Sequence, residues 1–291
     1  MEAVKRLSNK YQSEFDDEID RLKQWSANFK EDINKEVLFY EQQLTDLHPF
    51  ISAKKDEFMS CLLDLSPVEQ LDTEKLMATF IWTGILLIAT TIGGLLGGMI
   101  LKPILSLVVG GFFVFLAAYF VLPSMAWHYL HKPIKHNAEN DCKCRHTLVV
   151  FCLLEGLMSG FLLSERALIG PPPMAAITPF VIGLGAQMGA SFITNDRKKL
   201  LTVTIVGGLI IQLSLGVAIG MSIPYFLLSL LYTAIGFITL QYYIKHTNME
   251  TIFTHDYQLS FVLAIIASQA LIYAIFGGDP NEMAIAASQR P

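Results

Sequence analysis

Few residues of this chain could do chemistry, because most of the chemistry-bearing types stand alone inside apolar surroundings. Glu155 sits in the middle of the run FCLLEGLMSGF. A carboxyl in hydrocarbon is costly, so such residues point to function. Glu155 has two readings: a proton-titrating or cation-binding carboxylate facing a helix bundle, or a neutral carboxyl that ties helices together. With Gln241 and Asp256 it makes up the candidate ion pathway. Gln187, Gln212 and Gln269 lie in other apolar runs and suit hydrogen bonds between helices. Glu165-Arg166 reads as a local ion pair or a pair of interface anchors. The segment HYLHKPIKHNAENDCKCRH offers Cys142 and Cys144 with His131, His136 and His146. Structural zinc sites space their cysteines more widely and add a second pair. A solvated loop, reversible acylation and metal binding are the readings of this stretch, and no metal or cofactor is expected. Nucleophile elbows, zinc-protease motifs, phosphate loops and dinucleotide fingerprints are all missing, which argues against an enzyme.

These residues need elements to hold them, and the composition says which. Of 291 residues, 53% are hydrophobic and 16% charged, with a mean hydropathy of +0.46. Soluble domains carry about 25% charged residues. Residues 1–75 hold 10 of the 21 Lys and Arg and 17 of the 26 Asp and Glu. The chain thus reads as a polar, acidic extension over 1–75, an apolar region over 76–278 and a short tail over 279–291. Apolar stretches near 76–100, 103–127, 147–165, 172–194, 200–221, 223–244 and 259–277 have the length to cross about 30 Å of hydrocarbon. Pro179 is expected to kink the fourth. Pairs of glycines four apart (Gly93 and Gly97, Gly156 and Gly160) predict close helix approach.

The loops on one side of these stretches hold eight basic residues: Lys132, Lys135, Lys143, Arg145, Arg197, Lys198, Lys199 and Lys245. The other side holds three: Lys102, Arg166 and Arg290. The positive-inside rule then places the N-terminus in the cytosol and the C-terminus on the lumenal side. Before the first stretch, Ser66-Pro67-Val68-Glu69 reads as a helix start. In the extension, apolar residues recur at helical spacing, among them Tyr11, Phe15, Leu22, Trp25 and Phe29. This stripe is a candidate partner-binding face. It would pack in a hairpin with 52–65, on a coiled-coil or membrane-protein partner, or on the lipid surface. The acidic balance, net −5, and the lack of a basic stripe speak against nucleic acid.

Over about 148–257 the order of features resembles the Bax inhibitor-1 family of seven-helix membrane proteins. The resemblance rests on Leu154-Glu155-Gly156, on PPPMAAITPFVIGLGAQMGASF, on the cluster Asn195-Asp196-Arg197-Lys198-Lys199, on LLTVTIVGGLI, on Gly236-Phe237 and on His255-Asp256-Tyr257. It implies an all-α, seven-transmembrane-helix bundle in the endoplasmic reticulum or a related membrane. It also implies suppression of cell death under stress and a pH-sensitive calcium leak. The acid that the family carries late in its sixth span stands here as Gln241, and FVLAIIASQAL in the seventh has no acid. The resemblance therefore carries the fold further than it carries the leak. The function expected is a Bax inhibitor-1-like regulator acting through membrane-partner contacts. The alternatives are a structural or assembly subunit of a membrane complex and a small-ion pathway using Glu155.

Overall fold

The computed structural model describes residues 24, 35, 49, 51–68, 71–108, 110–131, 138–190, 196–246 and 254–281. The chain divides into two compact units, Met1–Leu63 and Asp64–Pro291. Among the described residues of the first unit, 51–63 are helical. The extension stripe Tyr11, Phe15, Leu22, Trp25 and Phe29 lies outside the described residues.

The second unit is helical. Among the described residues, its β structure is a single bridge between Ala167 and Gly278. Among the described residues its named helices are α1 (Thr73–Ile100), α2 (Lys102–Val108), α3 (Gly111–Leu130), α4 (Ala138–Leu163), α5 (Ile177–Met188), α6 (Arg197–Ile219), α7 (Ile223–His246) and α8 (Thr254–Phe276). Six of these, all but α2 and α5, are long and apolar enough to cross a membrane. α5 has 12 residues, about 18 Å of helix at 1.5 Å per residue and well short of 30 Å.

Local chemistry explains the boundaries and corrects several expectations. Asp72, not Ser66, caps α1, accepting a hydrogen bond from the Lys75 amide at 2.9 Å. The Ser66 hydroxyl is engaged with Asp64 instead, at 2.5 Å, so it is lost as a cap and 64–68 stays non-helical. The expected second stretch, 103–127, is broken at Gly110, whose extended backbone (ψ 145°) starts a new helix. Pro179 does not kink α5. It falls in the first turn, where a missing N–H costs nothing. The expected loop around Cys142 and Cys144 is already α4. Residues two apart on a helix point to different sides, so the two thiols diverge. His255-Asp256-Tyr257 likewise lies within α8 rather than before it.

α1 is the organising element, packed against α4, α5 and α8. Its contact with α4 is made of glycine. A β-carbon at Gly93 would strike the Leu153 carbonyl, and one at Gly97 the Leu157 carbonyl. From the other side, β-carbons at Gly156 and Gly160 would strike the carbonyls of Thr90 and Gly94. Backbone meets backbone, as the glycine spacing predicts. Around this seam Phe80 stacks edge-on to Tyr243 (6.1 Å) and Phe261 (6.4 Å). Thr79, Thr83 and Thr90 return their hydroxyl protons to carbonyls four residues back. These three hydroxyls are thereby satisfied within their own helix.

Adding a side chain to the seam forces two backbones apart. Gly97→Val is expected to cost roughly 1–3 kcal/mol or more, read as a lower unfolding midpoint of the purified protein. Gly207→Ala, where a β-carbon meets nothing within 4 Å, should be neutral or gain up to about 1 kcal/mol from helix propensity. Equal effects at the two positions would contradict the seam.

Candidate functional site: a polar layer at one end of the bundle

Polar side chains gather where α1, α4, α6 and α8 begin and α7 ends. The first cluster is built on Arg197, at the start of α6. On α6, Arg197, Leu200, Leu201, Thr204, Gly208, Gln212 and Gly216 are buried. This is one helical stripe, so Arg197 faces inward while its neighbours Lys198 and Lys199 face outward. Its side chain is 3% exposed. Nε donates to the Gln241 side-chain oxygen at 2.7 Å, and Nη1 donates to Asp64 at 2.5 Å. The Gln241 amide reaches the Asp64 carbonyl at 3.3 Å. Arg197 Nη2 is buried without a hydrogen-bond partner among the described residues. The result is a latch. It holds Asp64, the first residue of the bundle unit, on α6 and α7.

The Asp64 carboxyl is held below its ordinary value. Hydrogen bonds from the Ser66 hydroxyl and amide contribute most, opposed by burial, with the Arg197 guanidinium adding to the lowering. Asp196 is lowered too, chiefly by the Lys199 amide that it caps at the head of α6.

A second cluster joins α4, α8 and α1. His255 Nε2 lies 2.8 Å from Asp141, whose other oxygen pairs with Arg145 at 2.8 Å. The Arg145 guanidinium lies over the Trp82 ring, 5.7 Å from its centre. His255 Nδ1 is 3.1 Å from the Gln258 oxygen, and the Gln258 amide donates to the Thr79 carbonyl. Asp256 lies 3.5 Å from His131 Nε2, and that imidazole stacks on Trp127.

The expected ion-pathway residues do not converge. Gln241 belongs to the Arg197 latch and Asp256 to His131. Glu155 stands apart within α4, buried, with neither carboxyl oxygen hydrogen-bonded among the described residues. It faces a void of about 10 Å³ walled by Leu122, Phe151 and Val262, room for about one water. The glutamines divide. Gln212 donates to Thr178 on α5 at 2.6 Å, and Gln269 donates to the Tyr232 hydroxyl on α7 at 3.0 Å. Gln187 is exposed and makes no such contact. Glu165 and Arg166 do not pair with each other. Glu165 meets Lys102 at 2.6 Å, and Arg166 donates to the Tyr273 and Ala274 carbonyls. Sequence reasoning passed over Arg197 and Asp64. The register of Arg197 with Leu200, Leu201 and Thr204 was the signal available for the first; nothing local marked the second.

Asp64→Asn leaves a buried guanidinium without its counter-charge. Fully buried pairs lose about 3–5 kcal/mol this way. The Asp64 side chain is 42% exposed, so about 1–2 kcal/mol is expected, read from unfolding midpoints at pH 7. A lowered carboxyl stabilises the fold above its unfolded pKa of about 4 and loses that contribution as pH falls through its folded value. Wild-type stability should therefore drop below about pH 4, and the Asn variant should lack that part of the drop. Glu155→Leu removes an unpartnered carboxyl from an apolar wall and should raise the midpoint, by about 1 kcal/mol or more. A lowered midpoint would show that Glu155 has a partner.

A family model described as "Interactor of ZYG-11" matches residues 1–279. No curated protein and no solved structure matches the chain. This match corrects the resemblance to Bax inhibitor-1 proteins, which rested on short pieces over 148–257 while the family match spans both units. With it go the expectations of cell-death regulation and calcium homeostasis, and the assembly-subunit and Glu155 ion-pathway alternatives gain no support. The chain belongs to the family of interactors of ZYG-11.

Proposed function

We propose that this chain is an integral membrane protein that presents its acidic N-terminal segment to a protein partner of the ZYG-11 kind. The family match over residues 1–279 carries the reading, because it takes in the polar segment as well as the apolar bundle. Charge supports a division of labour. Residues 1–75 hold 17 acidic and 10 basic residues, a surface suited to a basic face on a partner.

Membrane integration is supported by what the bundle leaves uncovered. Leu107, Val108, Phe112, Phe113, Met188 and Val217 are each at least 69% exposed. Soluble monomers do not leave so much apolar surface wet. Six helices have spanning length, and α5 would complete seven passes as a short helix packed on α1. The basic excess on the side of Arg197, Lys198 and Lys199 supports a cytosolic N-terminus. The bilayer is then the second partner, and the polar layer faces the cytosol.

Two measurements test the reading. Full-length protein in nanodiscs should bind a purified ZYG-11-type protein with an affinity that falls as salt rises. Phe15→Ser, Leu22→Ser and Phe29→Ser combined should weaken binding at least about tenfold while leaving the unfolding midpoint of the bundle unchanged. Salt-independent binding, or full binding by the triple variant, would place the contact elsewhere. In sealed vesicles, an N-terminal tag should be cut by external protease and a C-terminal tag should not.

A further inference from the structure

At the end of the bundle opposite the Arg197 latch lies a cavity of about 350 Å³ between α1, α4 and α8. That volume is within the range of small-molecule sites, about 300–1,000 Å³. Its wall on α1 runs from Leu87 to Met99, about 18 Å along the helix.

The lining is sorted by chemistry. Along its walls the hydroxyls have no proton to offer: the exposed Thr91 donates to the Leu87 carbonyl and the buried Ser159 to that of Gly156. Gln269 spends an amide proton on Tyr232. With Leu87, Leu95, Leu163 and Ile265, this part behaves as an apolar sleeve. The mouth differs. Arg166 stands there, exposed, and only its Nη1 is engaged, on the Tyr273 and Ala274 carbonyls. Its Nε and Nη2 protons, and the Tyr273 hydroxyl, have no acceptor among the described residues. The adjacent acid, Glu165, is committed to Lys102, so the guanidinium charge is not cancelled. The mouth is also fixed in place. Ala167 and Gly278 exchange two backbone hydrogen bonds, of 2.9 and 3.1 Å, tying the end of α4 to the end of α8 on either side of Arg166.

We propose that this cavity binds an amphipath with one acyl chain and a compact anionic head. Arg166 and Tyr273 donate to the head, and the sleeve between α1, α4 and α8 takes the chain. The unspent donors at the mouth and the guanidinium charge that no acid cancels choose an anion over a cation. The sleeve, with its hydroxyls satisfied internally, chooses a hydrocarbon chain over a polar ligand.

The test is equilibrium binding of radiolabelled oleate to the full chain in a neutral detergent. Binding should saturate at one oleate per chain. Arg166→Gln should weaken it at least about tenfold, the worth of a charge-assisted contact. Arg166→Lys should restore most of it. Thr91→Phe should fill the sleeve and abolish binding without lowering the unfolding midpoint. Zwitterionic lysophosphatidylcholine and inorganic phosphate should both fail to compete, the first for want of net charge and the second for want of a chain. Unsaturable uptake, equal binding by Arg166→Gln, or competition by lysophosphatidylcholine would overturn the proposal. Displacement by millimolar phosphate would reduce the site to an anion site at the mouth and overturn it as well. If Thr91→Phe lowers the midpoint, Arg166→Gln against Arg166→Lys decides the matter.

Discussion

The bundle depends on one contact, the backbone-to-backbone crossing of α1 and α4. Gly93 and Gly97 abut the main chain of Leu153 and Leu157 across it, Gly156 and Gly160 that of Thr90 and Gly94, and at each of these four positions a β-carbon would run into the opposite main chain. Glycine weakens a helix when it stands alone. Here the loss is offset by dispersion contacts between two helices at a distance no other residue permits. The crossing brings the starts of α1 and α4 into reach of each other, so that Trp82 meets Arg145 and Gln258 bridges to Thr79. Toward the other end α1 and α4 wall the large cavity together with α8.

Polar chemistry is confined to the two ends. At one end Arg197, Asp64 and Gln241 form a latch, and His255, Asp141 and Arg145 a second tie. At the other, Arg166 holds the last carbonyls of α8. Between them, hydroxyls are turned back on their own helices, and two glutamines reach across to neighbours. Glu155 is the exception, a buried carboxyl with no hydrogen bond among the described residues. Gln241 and Asp256 are occupied elsewhere, so the three do not line one path. The latch has a clearer consequence. It seats Asp64, the first residue of the bundle unit, on α6 and α7.

The sequence showed the bundle more clearly than the site. Glycine spacing and apolar length are local patterns, and they marked the α1–α4 seam and most of the helices. Helix ends were misjudged where a competing local bond intervened: Ser66 turned to Asp64, and Asp72 became the cap. They were misjudged again where amphipathic first turns looked like loop, as for Cys142, Cys144 and Asp256. The latch was hidden because Asp64 and Arg197 lie 133 residues apart and no local pattern links them. Arg197 could have been found from its register; its place in a basic cluster drew attention to charge instead. The family resemblance failed for a related reason. Small-residue runs, a proline entry and a basic turn are what any packed bundle of apolar helices needs, so their order reported helix packing rather than ancestry.

The account assigns partner binding to the N-terminal segment and anchoring to the glycine-seamed bundle. Hydrogen exchange on the full chain in nanodiscs, with and without a ZYG-11-type protein, separates those roles most directly. The account predicts new protection within residues 1–63 and unchanged protection across 84–98 and 150–163. Protection gained in the bundle helices, with residues 1–63 unaffected, would contradict it.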